Sequence, residues 1–242
     1  MDRRRFITAL GGAGVVSLMS PNQRAEALER YMIEELEQGQ APAQAQGQQA
    51  PKRVLAPMPA KPTLADFFAK RFTVSTHVLQ SATRAVKTGQ KEETILACLL
   101  HDTVLTLIKP DHGWWGGQMY EPYVTEKVSW AIRYHQALRF YPDPEVGYEY
   151  PEMYNRMFGE DYKPDAYIEQ AYKFARNHSW YMEARLITMN DEYSFDRNAK
   201  VSLDPFIDII GRHFKQPKEG LGFDGSPVAH FWRTMINPDR PL

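Results

Sequence analysis

Ile95-Leu96-Ala97-Cys98-Leu99-Leu100-His101-Asp102 is the stretch on which the fold turns. The apolar run sits in a longer segment, about 91–107, whose large side chains recur every three to four residues, the period of an α-helix. It ends on an imidazole and a carboxylate. Neighbouring side chains on a helix diverge by about 100°, so His101 can reach one metal ion while Asp102, with two oxygens, bridges to a second.

The same helical period runs outward on both sides. It predicts helices over about 64–70, 77–87, 112–119, 123–141, 150–157, 164–177, 179–195 and 202–214. Breaks fall at Lys109-Pro110-Asp111, at Tyr141-Pro142-Asp143-Pro144 and in 217–225. Ser75 or Thr76 is read as the cap of the helix carrying His77, and Asp111 as the cap of the one that opens with His112. No alternating run argues for a sheet, so the chain is read as all-α. The Gly/Pro-rich segment from Gly220 to Leu242 is expected to wrap the surface.

Composition narrows the function. With 43% hydrophobic and 12% aromatic residues the chain can bury a substantial core, and 29 basic against 30 acidic side chains nearly cancel. No Lys/Arg stripe with interleaved aromatics marks a nucleic-acid surface. The one cysteine, Cys98, can form neither an internal disulfide nor a thiolate-rich zinc site. It is read as a small buried hydrophobe rather than a nucleophile.

The first 63 residues read differently. Asp2-Arg3-Arg4-Arg5-Phe6-Ile7 followed by a short apolar stretch has the pattern of a twin-arginine export signal, with Ala25-Glu26-Ala27 as a small-x-small cleavage site. The apolar stretch is too short for a stable membrane anchor, since a spanning helix needs about 20 residues. The organisation is thus a signal over 1–27, a Gln/Ala/Pro-rich linker over 28–63 that buries too little to order itself, and a helical body over 64–242. Export by the twin-arginine machinery places the protein in the periplasm or beyond.

Four histidines are spaced along the body: His77 at a helix start, His101 in the His-Asp pair, His112 opening a helix, and His135 further on. Any one alone reads best as a core histidine with a satisfied hydrogen bond. Together they read as a ligand set, because imidazole nitrogen and carboxylate oxygen suit iron, manganese and zinc. His178, His213 and His230 fit structural or surface roles.

The order His77, His101-Asp102, His112, His135, Asp191 resembles the HD-domain superfamily, within it the mixed-valence diiron oxygenases that include myo-inositol oxygenase and organophosphonate-cleaving oxygenases. His77-Val78-Leu79-Gln80, Asp111-His112 with Gly116-Gly117, and His135-Gln136-Ala137-Leu138-Arg139-Phe140-Tyr141 carry the local likeness, and the match covers about residues 64–200. The resemblance implies an HD-domain helical bundle. His77, His101, Asp102, His112, His135 and Asp191 would hold two metal ions, Fe(II)/Fe(III) or else manganese or zinc. The substrate would be a small hydroxylated anionic molecule oxidised or cleaved with O2, with Arg139 and Gln80 as its binding residues. Tyr141, Trp114, Trp115 and Glu192 are weaker candidates for the pocket. One departure stands out: Leu105 occupies the position three after the HD aspartate, where relatives carry Lys or His. The alternatives are a metal-dependent HD-domain phosphohydrolase and a non-catalytic metal-binding protein of the cell envelope.

Overall fold

The computed structural model describes residues 55–238. The expected export signal, and the linker up to residue 54, lie outside the described residues. The rest of the linker, 55–63, carries no helix or strand and runs against the body, with Pro62 buried and its carbonyl accepting from Leu221 N.

Ten α-helices and no named strand are found among the described residues, in keeping with the all-α reading. They are α1 (Leu64–Lys70), α2 (Ser75–Lys87), α3 (Glu92–Leu100), α4 (His112–Tyr120), α5 (Glu126–Leu138), α6 (Glu152–Phe158), α7 (Ala166–Arg176), α8 (Tyr181–Asp191), α9 (Ile207–His213) and α10 (Ala229–Ile236). None of the described helices is long and apolar enough to cross a membrane.

α3 is the axis of the bundle. Its residues Thr94 to Leu100 are all buried, which a helix sustains only when neighbours cover it on every side. α2, α5, α8 and α9 pack around it. The helix expected over 91–107 is in fact shorter. It stops at Leu100, and a 3-10 turn follows over Thr103–Thr106. The cause is local competition for the terminal carbonyls: His101 Nδ1 bonds to Cys98 O at 2.8 Å and Thr103 Oγ1 donates to Leu100 O at 2.8 Å. Asp102 therefore sits just beyond the helix end, at φ −107° and ψ −1°.

α4 and α5 form a tight hairpin because α4 turns three glycines towards α5. A methyl group on Gly117 would sit 2.8 Å from Arg133 Cβ and 3.1 Å from Ser129 O, so the close approach requires glycine there. The far end of α5 is tied down by Arg185 of α8, which is fully buried. Its guanidinium donates to Leu138 O and Tyr141 O, both at 3.0 Å, and to the Tyr181 hydroxyl.

Two expected caps are not used as such. Val74 occupies the N-cap position of α2, and Ser75 Oγ donates back to Phe68 O and Phe72 O. Asp111 precedes α4 in the left-handed region, φ 52°, but its side chain makes no cap bond and instead accepts from Tyr167 OH at 2.8 Å.

The C-terminal segment is more than a surface wrap. It forms α10, whose Trp232 is fully buried against Phe67 of α1 at a ring separation of 4.8 Å. Arg71 fastens the same corner, bonding Met235 O and Ile236 O on one side and Ala56 O on the other. Truncating a buried aromatic removes its burial and leaves a cavity, at a cost of about 3–5 kcal/mol. Trp232→Ala is therefore expected to lower the unfolding free energy by that order, read from the shift of the denaturant midpoint at an unchanged slope. A surface-level change of a few tenths of a kcal/mol would return the segment to a peripheral role.

Candidate metal centre

Six residues converge between α2, α3, α4, α5 and α8. His77 lies in the first turn of α2, His101 at the end of α3 and Asp102 just past it, His112 at the start of α4, His135 near the end of α5, and Asp191 at the end of α8. Solvent reaches little of them: His101 and His112 are fully buried, and Asp102 is 7% exposed.

The donor atoms fall into two groups that share Asp102. His77, His101, Asp102 and Asp191 form one, and Asp102, His112 and His135 the other. Within each group the candidate ligand atoms lie within 4.8 Å of one another. Asp102 Oδ2 is 3.3 Å from His77 Nε2 and 3.6 Å from His101 Nε2. Its other oxygen, Oδ1, is 3.3 Å from both His112 Nε2 and His135 Nε2. Asp191 Oδ1 completes the first group, at 2.9 Å from His77 Nε2 and 3.6 Å from His101 Nε2.

The four rings are oriented from behind. His77 Nδ1 faces Ser194 O at 3.1 Å, His101 Nδ1 faces Cys98 O at 2.8 Å, His112 Nδ1 faces Lys109 O at 3.3 Å, and His135 Nδ1 faces Ile132 O at 2.6 Å. A carbonyl oxygen only accepts, so each of these bonds requires the proton on Nδ1. Every Nε2 is thereby directed inward as the nitrogen that can take a metal, with the carbonyl behind each ring fixing its plane.

These residues fit a cation. His77 Nε2, His101 Nε2, Asp102 Oδ1 and Asp191 Oδ1 are buried and make no well-aligned hydrogen bond among the described residues. Buried carboxylates left so are costly unless a positive charge offsets them. Burial itself pushes both aspartates up. The facing imidazoles outweigh it, holding Asp191 below the ordinary carboxylate range and Asp102 well below it. Burial likewise pulls His77 down, and the Asp102 and Asp191 carboxylates more than reverse this, raising it to about 10; His101 is raised in the same way. At His135 burial prevails and the pKa is lowered. The nitrogen and oxygen donors suit iron, manganese or zinc. The only thiol, Cys98, is buried with Asn190 Nδ2 at 3.6 Å, and burial pushes it up to about 12, so it behaves as the inert hydrophobe expected.

The remaining sequence candidates make contacts outside the donor groups. Gln80 engages Asp196 at both ends of its amide, Nε2 donating to Asp196 O at 3.1 Å and Oε1 accepting from Asp196 N at 3.0 Å. It thus holds the loop whose Ser194 carbonyl orients His77. Arg139 caps α5, with its guanidinium over the Phe140 ring at 4.8 Å and near Tyr154 at 5.7 Å. Leu105 is buried at 5% exposure. Trp114 is exposed on the outer side of α4, and Glu192, raised by burial, follows Asp191. Tyr141 stacks on Tyr172 at 3.8 Å.

Two supporting residues had escaped the sequence reading. Phe195 lies against the His77 ring at 4.8 Å, and Ser194 supplies its carbonyl while its hydroxyl donates to Asn190 O. No motif announces either. Arg185 did leave a signal, as a charged residue among the buried Ala184, Ile187 and Thr188 of α8.

His112→Ala or His135→Ala is expected to lose one metal equivalent by elemental analysis while keeping most helicity. Asp102→Ala should lose both. Unchanged stoichiometry in all three variants would remove the shared carboxylate from the ligand set. A cation entering the first group must also displace protons from His77 and His101, whose pKa values are raised. Metal affinity should accordingly rise with pH across the neutral range. The calorimetric heat of metal binding should vary with the ionisation enthalpy of the buffer, and a buffer-independent heat would contradict this.

No protein-family model matches the chain, and no curated protein matches it significantly. What stands on the geometry is an all-α protein with a buried His/Asp cluster that can hold metal ions.

Proposed function

We propose that the chain is a dinuclear HD-domain oxygenase, exported by the twin-arginine route, that uses O2 to oxidise or cleave a small hydroxylated anionic substrate. The observation that carries this reading is the division of the six donors into two groups with one oxygen of Asp102 facing each. Four imidazoles and two carboxylates in the order His, His-Asp, His, His, Asp reproduce the ligand pattern to which the sequence is similar. A pair of irons bound there would supply O2 activation and hydrogen abstraction from substrate carbon.

The chain's own residues hold and shield. The four Nδ1–carbonyl bonds fix the ring planes, so the donor geometry is set before any ligand arrives. Apolar α3 and Leu105 exclude water from the inner side. The Gln80–Asp196 pair keeps the Ser194 loop seated behind His77. Arg139, one turn beyond His135, offers a planar cation to the anionic end of a substrate. Gln80 is engaged at both ends of its amide on the Asp196 backbone, so its part is to hold the loop behind His77.

The bridged arrangement also serves a phosphohydrolase, in which two divalent ions clamp an in-line displacement. The two readings separate in one set of measurements on purified protein. The oxygenase should contain iron, show the electron paramagnetic resonance signal of a coupled Fe(II)/Fe(III) pair, and consume O2 with a small hydroxylated carboxylate, phosphonate or polyol. Zinc or manganese with phosphodiester turnover and no O2 uptake would replace it with the hydrolase. Metal without either activity would leave a binding protein. Arg139→Ala should spare metal content and raise KM for the substrate so identified.

A further inference from the structure

On the outer side of the α4–α5 hairpin lies a cleft of about 540 Å³, closed on its far side by α7. Three large aromatic side chains stand exposed in it: Trp114 at 41%, Tyr167 at 49% and Phe174 at 54%. Exposed aromatics are costly to keep in water and mark binding surfaces when they gather in one concavity. On α5, Arg133 precedes His135 by two residues, so the two side chains point about 200° apart around the helix. The cleft is therefore behind the metal ligands and does not rest on the oxygen chemistry proposed above.

Its polar groups are unevenly matched. The Arg133 guanidinium lies 5.7 Å from the Trp114 ring and 5.6 Å from the Tyr134 ring, and it forms no ion pair with any described residue. Gln136 has its oxygen committed to Gly113 N at 3.1 Å, which leaves its NH2 as the available end. Gln170 lines the opposite wall from α7. The one carboxylate present, Asp111, is engaged by the Tyr167 hydroxyl. The uncommitted capacity is thus mainly N–H donors with one cation, flanked by flat apolar faces. An acceptor-rich anionic group on a ring complements that set.

We propose that this cleft is a binding site for a small ring compound bearing a carboxylate, the ring lying against Trp114, Tyr167 and Phe174 and the carboxylate meeting Arg133. A guanidinium held against aromatic faces keeps its N–H edges directed and loses less freedom on binding than a mobile lysine. The volume lies within the range of sites for single small molecules. Asp111 adds a link to the ligand set. It holds the single positive φ found at a non-glycine residue among those described, and it joins Tyr167 of the cleft to the first residue of α4, His112.

The test is calorimetric titration of the full-length protein with benzoate, glucuronate and uncharged benzamide at millimolar concentrations. Benzoate or glucuronate should bind one to one, and which of them does so tells an aromatic acid from a sugar acid. Arg133→Gln, an exposed position, should weaken that binding about tenfold or more while metal content and helicity stay unchanged. Gln170→Leu on the other wall supplies a second variant and should weaken it in the same direction. Absence of heat with both acids overturns the proposal. So does binding that survives both substitutions, which would place the acid elsewhere, at the metal centre for example. Equal affinity for benzamide would remove the carboxylate from what is recognised.

Discussion

Asp102 is a buried carboxylate whose two oxygens face different pairs of imidazoles, and most of the bundle serves to hold it there. A carboxylate in an apolar interior is tolerated only when positive charge or donors surround it. The chain meets that condition by bringing helix ends, not helix middles, to one place. His101 and Asp102 lie at the close of α3, His112 at the opening of α4, His135 near the close of α5 and Asp191 at the close of α8. Helix ends have unpaired backbone groups and freedom to turn, so side chains there can converge from several directions. The buried span of α3 then fixes the distances between those ends by ordinary apolar packing.

Much of this was legible in residues whose chemistry is unusual for their setting. A His-Asp pair closing an apolar run and three further histidines at helical positions stand out only as a set, since each alone reads as an ordinary core histidine. Their rear partners were not visible. Ser194, Cys98, Lys109 and Ile132 contribute only backbone carbonyls, which every residue type carries. The helix expected to run through Asp102 was overextended because apolar period does not register the competition of His101 and Thr103 for the last carbonyls. The C-terminal helix was hidden by the Gly and Pro residues of 217–225, although Phe231, Trp232 and Met235 kept a helical spacing behind them. Gln80, expected at a substrate, has its amide bonded to the backbone of the loop behind His77, a partner that side-chain chemistry alone does not announce.

The α4–α5 hairpin has two faces with different work. Its inner face gives His112 and His135, whose ring centroids are 5.3 Å apart, to the second donor group. Its outer face gives Trp114, Arg133 and Gln136 to an open cleft. Glycine at the contact permits both, because it draws the helices close enough for the two rings to meet one carboxylate oxygen while bulky side chains remain for the outside. Any shift of one helix along the other would be felt on both sides at once.

Arg71 has a topological consequence. Through a single nitrogen it reaches Ala56 O and Ile236 O, so the point where the described chain enters the body and the point where it leaves are side by side. A few glycines and serines would bridge them. The chain could then be reopened at the exposed turn around Gly89, where a side chain would meet nothing within 4 Å, yielding a circular permutant with the same helix packing. The same adjacency means that tethers fused before and after the body would emerge from one corner, leaving the rest of its surface uncrowded.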